Sequence, residues 1–115
     1  MRMICTTLLA LLMVGNAAAA TCPSVSSISQ KEDGQGYAYS AAGGWEGDNP
    51  VANEEDLSTF AFVGAKVTGS SVICRYEGEN EGGTSLTLAA TKQTAGDGWK
   101  NGECTASEVG ACAFK

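Results

Sequence analysis

A chain of 115 residues with 13 acidic and 7 basic side chains carries a formal charge of −6 at neutral pH. That balance argues against nucleic acid and anionic membrane surfaces as partners, since both need basic patches. Histidine is absent, which excludes a Ser-His-Asp triad, a Cys-His pair and any imidazole ligand for zinc or copper.

The chain opens with Arg2, an apolar run from Ile4 to Val14 and the small-x-small stretch Ala18-Ala19-Ala20. These are the three parts of a secretory signal peptide, too short and wrongly flanked to span a bilayer. Residues 1–20 therefore read as a signal, and residues 21–115 as one small domain starting at Thr21. Removing the signal takes away Arg2, so the formal charge goes from −6 to −7. It also removes Cys5 and leaves an even set: Cys22, Cys74, Cys104 and Cys112. In an exported chain four cysteines read as two disulfides, formed in an oxidising compartment, here the periplasm or the exterior.

Spacing leaves three pairings open. Cys104 and Cys112 are close enough to close a short loop, with Cys22 then tied to Cys74; the crossed pairings stay open. A domain of this size buries a modest share of its surface, so each bridge matters.

Past the signal, no window keeps a helical apolar period, and short alternating segments between turn residues dominate. An extended segment or hairpin is expected from about Val25 to Trp45, with Tyr37 and Tyr39 on one face of a strand ending at Gly43-Gly44. Leu57 to Thr68 reads as a longer strand, placing Phe60 and Phe62 opposite Ala61 and Val63. Thr68-Gly69-Ser70-Ser71 is a tight turn into Val72 to Glu77, where Val72, Cys74 and Tyr76 share a face and Ile73, Arg75 and Glu77 share the other. Gly78 to Gly83 leads on to a strand from Thr84 to Thr91. The tail from Gly96 reads as a loop held by disulfide chemistry. The expected fold is all-β: a small antiparallel meander or sandwich-like domain stapled by two disulfides.

Chemical motifs are sparse. There is no G-x-S-x-G elbow, no Ser-x-x-Lys dyad, no phosphate loop and no C-x-x-C pair. Carboxylate pairs could serve glycoside hydrolysis, and Glu46 with Asp48, or the run Glu54-Glu55-Asp56, are the candidates. All read as solvated surface loops, whereas a catalytic acid needs a desolvated setting. Glu77 to Gly82 mimics the first half of a calcium loop, but its twelfth position falls on Leu88 and no helices flank it. No metal and no cofactor are expected, and the chain does not read as an enzyme. Trp45, set among glycines, is either a recognition residue or a core plug; with Tyr37 and Tyr39 it forms the candidate binding set. Trp99 has the same two readings, its place near Cys104 favouring a cover for a disulfide.

Several features occur together: Cys22-Pro23 directly after the signal, Gly44-Trp45, Cys74-Arg75-Tyr76, Trp99 and the closing Cys112-Ala113-Phe114. In this the chain resembles a group of small, exported, disulfide-bonded proteins of gammaproteobacteria described mostly as a domain of unknown function. More faintly, it is similar to the EirA family of periplasmic proteins associated with type IV secretion. The resemblance implies an exported accessory protein without an enzymatic role, acting on a protein partner in an envelope or secretion assembly. An acidic inhibitor of a cationic enzyme such as lysozyme is the alternative, because acidic charge steers such encounters. Exposed sheet edges would offer a route to partners, or to a homodimer, by strand addition.

Overall fold

The computed structural model describes residues 19–115; the apolar run of the expected signal lies outside the described residues. Eight strands form: β1 (Ser29–Asp33), β2 (Gly36–Ala41), β3 (Trp45–Asn49), β4 (Ala61–Val67), β5 (Val72–Glu77), β6 (Gly83–Leu88), β7 (Trp99–Lys100) and β8 (Glu103–Thr105). They make one sheet in the order β1-β2-β3-β6-β5-β4-β8-β7, antiparallel at every junction. Short 3-10 turns lie at Val25–Ser27, Glu54–Thr59 and Val109–Cys112. Among the described residues there is no α-helix, and no helix is long and apolar enough to cross a membrane. The all-β architecture is thus the one the alternating segments imply.

Two three-stranded meanders lie side by side, β1-β2-β3 and β4-β5-β6, with β3 next to β6. The connection from Asn49 to Ala61 crosses the ends of β6 and β5 to reach the far side of the second meander. Alternation along each strand then decides which residues are buried. On β5, Val72, Cys74 and Tyr76 are buried while Arg75 and Glu77 are exposed and Ile73 lies between. Facing residues on β6 and β4 continue the apolar layer: Leu86 opposes Cys74, and Phe62 and Ala65 oppose Tyr76 and Cys74. An irregularity between Phe62 and Gly64 lets Phe62 and Ala65 both point inward despite their odd spacing.

One face of the sheet is covered by the segment before β1 and the segment after β8. Cys22 bonds to Cys74 from the N-terminal side, and Cys104 to Cys112 from the C-terminal side. All four cysteines are buried with Tyr39, Trp45, Phe60, Phe62 and Phe114 in one core. Three ring pairs interlock there at centroid distances of 5.1 Å (Tyr39–Phe60), 6.1 Å (Trp45–Phe114) and 5.7 Å (Phe62–Tyr76). Such tilted and edge-on pairs add to the burial of their area.

The expected strand from Thr84 to Thr91 stops at Leu88, and the structure departs from the sequence expectations in three further places. Leu57 to Thr59 is not strand: Glu54–Thr59 winds into 3-10 turns, started by Asp56 Oδ2 accepting from the Asn53 N–H at 2.8 Å. Trp45–Asn49 is a strand, although Glu46-Gly47-Asp48 is poor strand sequence. Gly47 is needed there because a side chain would collide with the Ser85 carbonyl. The tail also holds a hairpin, β7–β8, turned by Asn101 (φ 53°) and Gly102 (φ 79°) and paired to β4 through Cys104 and Ala65.

Candidate functional site

Register decides where the charges go. The last residues of β1, β3 and β5 and the first of β2, β4 and β6 all lie at one end of the sheet. Glu32 and Asp33 close β1, Asp48 lies next to the end of β3, and Glu77 closes β5. The connection carrying Glu54, Glu55 and Asp56 and the turn carrying Glu79 and Glu81 complete this end. Nine of the 13 acidic residues of the chain are therefore gathered there. Lys66 faces Glu103 and Lys100 sits in the β7–β8 hairpin, and Lys92 follows Thr91, whose hydroxyl donates to Gly69 O in the opposite turn. Lys31 and Arg75 lie two residues from the acidic end, so that end holds most of the carboxylates but not carboxylates alone.

Hydrogen bonds tie the acidic segments to one another. The Asn49 amide donates to Glu81 O at 3.0 Å and to Gly83 O at 2.8 Å, while its oxygen accepts from the Val51 N–H. Thr59 Oγ1 donates to Asp56 O at 2.6 Å and accepts from the Glu79 N–H at 3.0 Å. Gln30 Nε2 donates to Glu54 O at 3.0 Å. A side chain at Gly82 would meet Asp56 at 2.8 Å, so the turn lies directly on the 3-10 segment. Asn80 (φ 55°) and Glu81 (φ 67°) both take the left-handed conformation that bends the chain there.

The expectation of a wholly solvated Glu54-Glu55-Asp56 run is corrected: Glu54 and Glu55 are exposed, but Asp56 is fully buried. Its position in the first turn of the 3-10 segment explains this, since one oxygen caps the Asn53 N–H and the other has no protein partner. Glu46 and Asp48 are likewise not in a loop. They occupy alternate positions of β3 and are exposed, beside Asp33 and Ser40 in a shallow groove of about 420 Å³. Among the described residues no group of three or more His, Cys, Asp or Glu is arranged to hold a metal ion. Glu77, Glu79 and Glu81 do not form one.

Of the three aromatic candidates, Trp45 is 6% and Tyr39 1% exposed. Both are packing residues, Trp45 against Phe114 and Tyr39 against Phe60. Tyr37 is half-buried at the acidic end. Its phenol is pushed above its ordinary value, first by desolvation and then by the carboxylates of Glu54, Glu32 and Glu55. Tyr39 moves the same way through burial, Asp56 and Tyr37. Trp99 is half-buried and donates from Nε1 to Ala113 O at 2.7 Å, and a side chain at Gly98 beside it would collide with the Ala111 carbonyl and crowd the sulfur of Cys104.

Next to the carboxylates lies a recess of about 390 Å³ walled by Val25, Ile28 and Leu57 and rimmed by Gln30, Glu54 and Glu55. Apolar walls under a carboxylate rim suit the aliphatic stem and cationic head of a lysine or arginine. No family model matches the chain, and no curated protein or solved structure matches it.

Proposed function

We propose that this is an exported accessory protein that works by binding rather than catalysis, and that its partner is a basic protein met at the acidic end of the sheet. The observation that carries the reading is the convergence of eight exposed carboxylates from separate stretches of sequence onto one end. A surface of one sign raises the encounter rate with a partner of the other and falls in effect with ionic strength. Two disulfides are compatible with an exported protein. The carboxylates that could have served hydrolysis support binding better: Glu46 and Asp48 are exposed, and Asp56 is committed to a cap.

Two kinds of partner fit this reading, a basic component of an envelope or secretion assembly and a cationic enzyme such as lysozyme. The test is titration of the oxidised protein with cationic lysozyme and with a neutral protein of similar size, at about 0.01 M and about 1 M salt. Over that range the screening length shrinks from about 30 Å to about 3 Å. Binding of the cationic protein alone, lost at high salt, supports the reading. No binding at low salt, together with no basic protein captured from the envelope, overturns it.

A further inference from the structure

The sequence offers two cleavage registers with alanine at both small positions, Ala17-Ala18-Ala19 and Ala18-Ala19-Ala20. The fold distinguishes them. Ala20 pairs antiparallel with Phe114: its N–H donates to Phe114 O at 2.7 Å, and its carbonyl accepts from the Phe114 N–H at 2.9 Å. On the other side of residues 113–115, Gln93 and Lys115 exchange two bonds and the Ala95 N–H donates to Ala113 O. Those bonds use the groups of residues 113 and 115. The N–H and C=O of Phe114 point the opposite way, and Ala20 is their partner.

Phe114 is 1% exposed and packs edge-on against Trp45, so its backbone sits at the edge of the core. Ala20 lies two residues from Cys22, whose bridge to Cys74 holds this segment against the sheet. A chain starting at Thr21 would leave both backbone groups of Phe114 without their protein partner, and unpaired backbone groups beside a core are costly.

We propose that export processing hydrolyses the Ala19–Ala20 peptide bond, one residue before the Thr21 start, and that Ala20 is the N-terminal residue of the exported protein. Water is the co-reactant: Ala19 leaves as a carboxylate, and Ala20 keeps its nitrogen as an α-ammonium. That ammonium still donates to Phe114 O, now as a charge-assisted bond of the shorter and stronger kind. The cut therefore preserves the ladder pair. The proposal rests on the export reading and is independent of which partner the acidic end meets.

The experiment is expression of the full chain in an exporting bacterial host, followed by N-terminal sequencing and intact mass of the processed protein. A start at Ala20 is expected, and a start at Thr21 or an unprocessed chain overturns the proposal. Two substitutions test the register independently. Ala20→Leu leaves both small positions before the proposed cut intact, so processing continues before residue 20. Ala19→Leu removes the small residue next to the bond and blocks that cut or diverts it. The reverse pattern overturns the assignment. A chain made to begin at Thr21 is expected to melt at a lower temperature than one beginning at Ala20; equal midpoints would remove the structural basis.

Discussion

The two meanders are built alike and held differently. In β4-β5-β6 the strands share long registers, and both disulfides enter here, at Cys74 on β5 and at Cys104 on the adjoining β8. The β1-β2-β3 meander contains no cysteine. It meets β6 through the pair Glu46–Thr87, the close approach of Gly47 to the Ser85 carbonyl and the Asn49 and Thr84 bonds, while Tyr39 and Trp45 pack on Phe60 and Phe114. One half is fixed covalently, the other by aromatic packing and side-chain hydrogen bonds from Asn49, Gln30 and Thr84. The acidic end spans both, so its shape depends on the less constrained half staying docked.

Trp45→Ala tests that dependence with the largest expected effect. Removing a buried aromatic costs about 3–5 kcal/mol, and here it also releases Phe114 and the seam between the meanders. Denaturant unfolding should show that loss; a cost under about 1 kcal/mol would mean that β3 is held by something other than its rings.

The disulfides sharpen the contrast within the stapled half. A loop of 52 residues for Cys22–Cys74 against 8 for Cys104–Cys112 implies, by loop-closure entropy, about 4 against about 2.5 kcal/mol. Paired serine substitutions of each bridge, compared by the same unfolding experiment, should follow that order. The reverse order would contradict the assignment of Cys22–Cys74 as the main restraint.

Two tyrosines give the smallest and most selective comparison. Tyr76 Oη donates to Pro23 O at 2.6 Å, whereas Tyr39 Oη is buried without a protein partner. Tyr76→Phe should cost about 1 kcal/mol and Tyr39→Phe close to nothing, since its hydroxyl gives up no bond. Burial raises the Tyr76 phenol above its ordinary 10.0. Above that pH the unfolded chain loses a proton that the folded chain keeps. The contribution of Tyr76 is therefore complete below about pH 10 and declines as pH rises further. Tyr76→Phe should flatten the alkaline limb of the stability curve, and an unchanged limb would assign it to other groups.

What was legible in the sequence follows from the length of the signal each element carries. β5 spans a full set of alternating residues, and the turn Thr68–Ser71 closes by its own side chains, with the Thr68 hydroxyl bonding Ser71. Neither needs tertiary context. β3 is the opposite case: its central Glu46-Gly47-Asp48 has low strand propensity and pairs because the neighbouring strands leave room only for glycine. β7 and β8 are too short for alternation to register, although Asn101-Gly102 is itself a hairpin signal and would have revealed them. The acidic residues were visible one by one, but their convergence depends on the register of five strands and two loops, and Asp56 gave no local sign that its carboxyl is buried.

The central claim is that the acidic end binds a basic protein, and the most direct test is a charge-neutral version of that end. Glu54→Gln, Glu55→Gln, Glu79→Gln and Glu81→Gln, all exposed, would be combined and compared with a Glu103→Gln/Glu108→Gln control from elsewhere on the surface. Binding to cationic lysozyme would be measured at low salt. With exposed pairs worth about 0.2–1 kcal/mol each, the fourfold variant should bind at least about fourfold more weakly, and the control should stay within about twofold of the native chain. Equal affinity in all three proteins would contradict the account.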